Sequence, residues 1–343
     1  MRLGVLTGGG DCPGLNAVLR AVVRRGVQAH DAAVVGFRDG WRGVLDDDAF
    51  ELGLPEVTGI LHRGGTILGS SGVDPIRVED GVARVGKTLA AHGLDGLIAV
   101  GGEGTMGAAA RLSAEHGVPV VGIPKTIDND LPGTDVTVGF HTAVQVATDA
   151  IDRLHSTAES HDRVILVEVM GRHAGWIAVY AGIAGGADAI LIPEQPFDLE
   201  AVCARIRHRH MTRASFSIVV VAEGAIPAPG TLELPEPELD PNGFPRLGGL
   251  ANLLAPEIAR LTGYDTRVTI LGHLQRGGTP VAFDRMLGTR FGIAAVDLAV
   301  AGGWGRMVSR RGQEIEDVPL EAALGPRSVV PLELYREAEV FFG

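Results

Sequence analysis

The chain is poor in cysteine, and it has no apolar run long enough to cross a bilayer. Its two cysteines, Cys12 and Cys203, lie far apart in sequence and form no CxxC pair. This spacing argues against a disulfide framework or a zinc site and fits a reducing cytoplasm. The first residues read as a strand with one arginine, which is unlike a signal peptide. We therefore expect a cytoplasmic protein with no membrane partner.

Positive charge and aromatic residues are also scarce. Thirty Lys and Arg residues face 42 Asp and Glu residues, for a net charge of −12. A protein that binds nucleic acid along its phosphates needs a basic surface, so nucleic acid is excluded as the main partner. Small phosphorylated ligands remain possible because they need only a local basic pocket. Aromatic residues make up 5% of the chain, which predicts an aliphatic core.

Short aliphatic runs recur along the 343 residues, and segments with helical patterning separate them. This alternation predicts βαβ units with parallel sheets, and the chain length favours two domains. The runs fall into two groups, which predicts two lobes that face each other across a cleft. The predicted strands are Leu3–Thr7, Ala33–Phe37, Gly96–Val100, Pro119–Ile123, Arg163–Val169, Ala189–Ile192, Ser217–Ala222 and Arg267–Leu271.

Two glycine-rich segments follow predicted strands. Gly8–Gly14 reads GGGDCPG, and its glycines would let the backbone approach a phosphate at a helix N-terminus. Their spacing is longer than that of the dinucleotide fingerprint G-x-G-x-x-G, and a plain strand-to-helix turn is the alternative. Gly101–Thr105 reads GGEGT. Its Glu103 either holds Mg²⁺ beside phosphates or merely favours the helix dipole.

The stretch PKTIDND, residues 124–130, follows another predicted strand. One of Asp128 and Asp130 could accept the proton of an attacking hydroxyl, while the other organises a metal or fixes the geometry. Thr126 could donate to a phosphoryl oxygen. The alternative is a turn rich in Asp and Asn.

Four arginines stand at or near corresponding strand ends in the second half of the chain, where a guanidinium could bind a phosphate with two hydrogen bonds. His273 lies three residues before the last of them. For any one of them, a solvated surface charge is the simpler interpretation. The arginines are Arg163, Arg172, Arg267 and Arg276.

One apparent motif is rejected. Gly81–Thr88 matches the P-loop string G-x-x-x-x-G-K-T. That loop requires a buried strand before it, and the preceding residues are polar and contain a proline. We predict an amphipathic helix here instead.

Taken in order, the segments GGGDCPGLNAV, RGGTILGSS, GGEGT, PKTIDND, VEVMGRHAGW, AEG and LGHLQRGGTP resemble those of 6-phosphofructokinases. The resemblance runs from Leu3 to about Arg306 and is strongest to the mixed group, whose members use ATP or pyrophosphate. It implies an α/β protein with two Rossmann-like lobes, parallel-sheet cores and an active site in the cleft between them. The donor lobe would contain residues 1–139 and about 275–325, and the sugar lobe residues 140–274 and about 326–343.

The resemblance also implies a role for individual residues. Asp128 would be the base for the sugar 1-hydroxyl, with Thr126 and Asp130 beside it, and Arg172 would stabilise the transferring phosphoryl group. The residues implied to hold fructose 6-phosphate are Thr126, Asp128, Arg163, Met170, Gly171, Arg172, Glu223, Arg267, His273 and Arg276. Arg163 and Arg267 would come from a neighbouring subunit, which implies a homo-oligomer, either a dimer or a tetramer.

On the donor side, Glu103 would stand at the Mg²⁺ position in place of the usual aspartate. The residues implied to line the donor site are Gly10, Gly72, Val73, Gly102, Glu103, Gly104 and Thr105. ATP users carry glycine at the positions of Gly104 and Lys125, whereas pyrophosphate users carry aspartate and lysine. An aspartate at 104 would repel the α-phosphate of ATP, so Gly104 favours ATP, and a pyrophosphate-dependent enzyme is the alternative.

Gly72 stands where the family commonly has an arginine that bridges donor and acceptor phosphates. Losing this cation should weaken transition-state stabilisation, and we hypothesise that Lys125 or Arg77 partly compensates. The gap leaves open a related acceptor such as sedoheptulose 7-phosphate, or a weakly catalytic sugar-phosphate-binding protein. The proline-rich and acidic stretch Pro227–Pro245 predicts an exposed loop.

Overall fold

The computed structural model describes residues 1–212, 215–235 and 247–342. The chain divides into two compact units. The first unit comprises Met1–Ile127, Leu131–Thr142 and Arg276–Arg327, and the second comprises Asp128–Asp130, Ala143–Gln275 and the residues from Ser328 onward. The assignment of phosphoryl donor to one unit and sugar to the other stays a prediction.

The first unit is built on a seven-stranded sheet in the order β11-β10-β5-β4-β1-β2-β3. Its central strands are parallel, short and buried, as expected of aliphatic runs covered on both faces. The edge strands β3 and β11 run antiparallel to their neighbours. The strands are β1 (Arg2–Thr7), β2 (Ala33–Phe37), β3 (Ala49–Glu51), β4 (Gly96–Gly101), β5 (Val120–Pro124), β10 (Arg306–Arg311) and β11 (Glu314–Pro319).

The second unit has a four-stranded, fully parallel sheet in the order β7-β8-β6-β9. Its central strands β6 and β8 are buried at every residue. The strands are β6 (Val164–Val169), β7 (Ala189–Leu191), β8 (Ser217–Ala222) and β9 (Thr266–Ile270).

Helices follow most of these strands, as βαβ connections require. None of those in the described ranges combines the length and the apolar character needed to cross a bilayer. The helices are α1 (Leu15–His30), α2 (Trp41–Asp46), α3 (Gly81–Ala91), α4 (Glu103–His116), α5 (Phe140–Ser160), α6 (Trp176–Ala184), α7 (Leu199–Thr212), α8 (Leu250–Thr262), α9 (Ala282–Val300) and α10 (Leu332–Glu339).

All eight predicted strands are confirmed, with ends that differ by no more than one residue. The segment with the P-loop string lies in α3, so its rejection is confirmed. Strands β3, β10 and β11 were not predicted. Strand β3 has only three residues. Strands β10 and β11 read RMVSRR and EIEDVP, and their charged residues conceal the strand pattern; β11 lies at the edge of the sheet, and β10 is next to it. Of the predicted loop Pro227–Pro245, residues 236–245 lie outside the described part of the chain.

A buried carboxylate anchors the start of α5 in the first unit. Asp284, on α9, is 0% exposed. Its carboxylate accepts hydrogen bonds from Gly139 N at 2.9 Å and from Thr142 N at 2.7 Å, and a third from the Thr142 hydroxyl. The first amides of a helix have no partner within the helix, so Asp284 supplies acceptors for them.

Replacing Asp284 by alanine should lower the free energy of unfolding by about 3 kcal/mol, because buried amide groups lose their acceptor. Urea unfolding of Asp284→Ala measures this. The control is Asp297→Ala on the same helix, whose partly exposed carboxylate binds Arg25 and His30 and should contribute about 1 kcal/mol or less. Equal losses in the two variants would show that Asp284 is no special anchor.

Candidate active site

The first glycine loop lies between β1 and α1 in the first unit. Its Gly8 N donates to Val100 O at 2.9 Å, at the end of β4. Gly9 N donates to Ser71 O at 2.9 Å, and the Ser70 hydroxyl donates back to Gly9 O. These bonds place the segment that ends in Gly72 against the first glycine loop, as the sequence-based donor site requires.

The second glycine segment leads from β4 into α4 and packs against the first. A Cβ atom added at Gly8 would lie 2.5 Å from the Thr105 hydroxyl oxygen, and one at Gly101 would lie 2.4 Å from it. Only glycine fits at these two positions, because a methyl group would overlap the Thr105 side chain. At Gly104 a Cβ would meet nothing within 4 Å, so this side of α4 borders open space.

Lys125 connects the two glycine segments. Its side chain is 2% exposed, and its ammonium group donates to Gly8 O at 2.8 Å and to Gly10 O. Its backbone N–H donates to Gly101 O at 2.9 Å. A buried cation needs such acceptors. Lys125 therefore holds the first glycine loop in place through its carbonyl oxygens.

Glu103 begins α4, and its carboxylate is the predicted Mg²⁺ ligand. No group of three His, Cys, Asp or Glu side chains in the described ranges could hold a metal unaided. A single carboxylate still suits Mg²⁺, which keeps several waters and binds through one or two carboxylates and substrate phosphates. In this structure the Glu103 carboxylate binds Arg327, with Nη2 at 3.2 Å and Nε at 3.4 Å. The residue present at position 103 thus fits the metal.

Arg276 belongs to the first unit and lies against the first loop. Its Nη1 donates to Asp11 O at 3.3 Å, and a Cβ on Gly10 would approach that nitrogen to 2.3 Å. The predicted role of Arg276 in binding the sugar 6-phosphate stays a prediction.

In the second unit, a tight loop after β6 carries three predicted sugar-binding residues. Met170 N donates to the Gln275 side chain at 3.3 Å, and Arg172 N donates to Glu223 Oε1 at 3.1 Å. Gly171 has a φ of 142° and Arg172 a φ of 52°, both in the left-handed region. Such a conformation in a non-glycine residue indicates that its surroundings hold it. Glu223 is one of these constraints.

Three carboxylates interact electrostatically in the second unit. Burial raises the pKa of Glu223, and repulsion from Asp128 and Glu168 raises it further. Glu168 is 2% exposed, and its oxygens accept from Gly249 N at 2.6 Å and Ala251 N at 2.8 Å, at the start of α8. Asp128 is itself 4% exposed. Of these three carboxyl groups, Glu223 is the one whose pKa the crowding raises.

The four arginines do not stand at corresponding strand ends, so that expectation was wrong. Arg172 and Arg276 follow the carboxyl ends of β6 and β9, whereas Arg163 and Arg267 lie at the amino ends of the same strands. Both of the latter bind Asp265, with Arg163 Nε at 2.7 Å and Arg267 Nη2 at 3.1 Å. Within one chain they lie at the opposite edge of the sheet from Arg172. His273 is exposed just beyond the carboxyl end of β9.

Several residues of this region were missed by sequence reasoning. Gln275 lies inside a motif that was recognised, and Asp265 lies two residues from a predicted arginine, so both had a local signal. Glu168 lies inside the recognised segment VEVMGRHAGW and also had a local signal. Arg327 is 224 residues from its partner and has no signal in the local sequence.

Comparison with known proteins agrees with this geometry. The family model described as Phosphofructokinase matches residues 2–299. The chain belongs to the phosphofructokinase family. It is therefore a phosphotransferase, as its motifs predict, and its predicted α/β fold with two parallel-sheet cores is confirmed.

Named phosphofructokinase relatives differ in their donor. A pyrophosphate--fructose 6-phosphate 1-phosphotransferase of Streptomyces coelicolor is 58% identical, and an ATP-dependent 6-phosphofructokinase of Mycobacterium tuberculosis is 55% identical. Both comparisons cover 100% of each chain. The phosphofructokinase structure from Saccharomyces cerevisiae superposes with a TM-score of 0.80 at 33% identity. It covers 94% of this chain, which spans 45% of the yeast chain.

The raised pKa of Glu223 makes a pH-dependent contribution to stability. Since the pKa of the folded state lies above the usual 4.5, the carboxyl stabilises the fold most at low pH. We expect the unfolding free energy of the wild type, minus that of Glu223→Gln, to fall as pH rises from about 4.5 and then to level off. Urea unfolding at a series of pH values measures this difference.

The control is Glu159→Gln, at an exposed position of α5 in the same unit. Its difference from the wild type should show no comparable fall with pH. A Glu223 difference that grows with pH would contradict the assignment.

Proposed function

We propose that the protein transfers the γ-phosphate of ATP to the 1-hydroxyl of fructose 6-phosphate. The observation that supports this most is the arrangement in the second unit. There Glu223 fixes the loop that carries Arg172, and Asp128 interacts electrostatically with the same carboxylate. This arrangement supports a role for Asp128 as the base and for Arg172 as the cation that stabilises the phosphoryl group.

In this proposal Asp128 takes the proton of the 1-hydroxyl while the hydroxyl oxygen attacks the γ-phosphorus. The new phosphorus–oxygen bond forms as the bond to ADP breaks. Arg172 stabilises the negative charge on the transferring group, and Thr126 and Asp130 orient the reacting atoms. Mg²⁺, when bound through Glu103, neutralises charge on the donor phosphates.

For the sugar, we propose that Met170, Gly171, Glu223 and His273 hold the fructose ring. Arg163 and Arg267 lie at the amino edge of the sheet, roughly 17 Å from Arg172 along β6. This placement supports the proposal that they bind the 6-phosphate in a neighbouring subunit, together with that subunit's own Arg276. The protein would then be a homo-oligomer, a dimer or a tetramer, with shared sites.

The donor is assigned from two residues. A Cβ on Gly104 would meet nothing within 4 Å, which supports a donor as large as ATP, whereas an aspartate there would repel the ATP phosphates. Lys125 bonds to the carbonyls of Gly8 and Gly10, and in this role it can shape the loop for either donor. Pyrophosphate is the second candidate, because relatives of similar identity are named for each donor.

Initial rates with fructose 6-phosphate, Mg²⁺ and either ATP or pyrophosphate test the proposal. We expect turnover with ATP, little with pyrophosphate, and none with either in Asp128→Asn. Turnover with pyrophosphate alone would reverse the donor assignment. Turnover with sedoheptulose 7-phosphate but not fructose 6-phosphate would reverse the acceptor assignment.

Gly104→Asp should fold normally, because its Cβ meets nothing within 4 Å, and should lower kcat/KM for ATP by roughly tenfold or more through like-charge repulsion. Steady-state kinetics and thermal melting check the two statements. A matched variant is Gly86→Asp in α3, whose Cβ also meets nothing within 4 Å. If Gly104→Asp kept the wild-type kcat/KM for ATP, residue 104 would not set the donor.

Lys125→Met should raise the donor KM by roughly tenfold with either donor, because two loop carbonyls lose a charged hydrogen-bond partner. The KM for the sugar should change less. Kinetics with each substrate varied in turn separates these effects. Unchanged donor KM and kcat would remove Lys125 from the donor site and from any compensation for Gly72.

A further inference from the structure

The ion pair between Arg327 and Glu103 lies at the proposed donor site. Arg327 is the last residue of the first unit, far from the recognised motifs in sequence. Its Nη2 and Nε both point at one oxygen, Oε2 of Glu103. The guanidinium therefore binds the carboxylate to which we assign Mg²⁺.

Three other cations of the first unit pair with groups other than Glu103. Arg111 binds Asp74 at 2.7 Å, and Arg77 lies 3.5 Å from the same carboxylate, with its own side chain 72% exposed. Lys125 is bound to the glycine loop. Compensation for Gly72 by Arg77 stays a prediction. Arg327 differs because its partner is itself a proposed donor-site residue.

The Arg327–Glu103 ion pair is weak enough for Arg327 to leave Glu103 for another anion. Its contacts of 3.2 and 3.4 Å are long for a charged hydrogen bond, and the two side chains are 43% and 59% exposed. Such pairs contribute little to stability. A guanidinium matches a phosphate with two parallel hydrogen bonds, which are stronger than these contacts.

We propose that Arg327 is a ligand for the phosphates of the donor. Without donor it stays on Glu103. When Glu103 is engaged by Mg²⁺, the donor phosphate oxygens become the nearest anions, and the guanidinium binds them. Arg327 thereby supplies, from the far end of the chain, a cation that position 72 lacks. This inference rests on the proposed function, since it assumes that a phosphorylated donor binds beside Glu103.

Calorimetric titration with Mg·ATP and with Mg·pyrophosphate, in the absence of sugar, tests the proposal. We expect Arg327→Gln to raise the dissociation constant of the donor that the wild type binds by roughly tenfold or more, as loss of a charged hydrogen bond does. The dissociation constant for Arg327→Lys should lie between those of the wild type and Arg327→Gln, because lysine keeps the charge but lacks the paired N–H donors of the guanidinium. The matched control is Arg84→Gln, whose surface pair with Asp46 has side chains 40% and 54% exposed, and it should bind as the wild type does.

A double-mutant cycle with Glu103→Gln separates binding of the donor from mere support of Glu103. If Arg327 contacts the donor, Arg327→Gln weakens binding further in the Glu103→Gln background. No further loss would overturn the proposal, as would wild-type affinity in Arg327→Gln. A wild type that binds neither donor would instead refute the proposed function. Thermal melting of Arg327→Gln and Arg84→Gln should give similar midpoints, and a selective loss for Arg327→Gln without a change in affinity would assign a structural role only.

Discussion

The first glycine loop, on which the proposed donor site is built, depends on the buried ammonium group of Lys125. A cation removed from water must find acceptors, and the acceptors in reach are the carbonyl oxygens of Gly8 and Gly10. The same residue's backbone bonds to Gly101, at the end of a different strand. Lys125, which follows β5, thus bonds through its side chain to the loop after β1 and through its backbone N–H to the end of β4. In the proposed donor site, the amide groups of these loops could then bind a phosphate without a further loss of conformational entropy.

In the second unit, buried carboxylates rather than a buried cation hold backbone segments in place. Glu223 and Glu168 accept backbone N–H groups and so hold the loop at Arg172 and the start of α8. Burying carboxylates close together costs free energy when all are ionised, and Asp128 shares that cost. The carboxylate that fixes the loop, Glu223, is therefore also the one whose pKa is raised.

Sequence reasoning succeeded best for features whose residue pattern lies within a single segment. The eight recognised strands have short runs rich in aliphatic residues, whereas β11, at the edge of the sheet, and its neighbour β10 carry charges that conceal them. Glycine segments and PKTIDND were recognised because their chemistry is local. The direction of a strand relative to an arginine is a three-dimensional property, which is why Arg163 and Arg267 were grouped wrongly with Arg172. Arg327 could not be found, because an ion pair over 224 residues leaves no local pattern.

The empty surroundings of Gly104 have a consequence for how such enzymes diverge. A glycine codon becomes an aspartate codon by one base change, and here the new side chain would displace no neighbour. If residue 104 sets the donor, as we propose, a lineage could exchange one phosphoryl donor for another without first repairing its core. Descendants with nearly equal overall similarity would then differ in their energy source, and the degree of identity alone would not reveal which one a given cell uses.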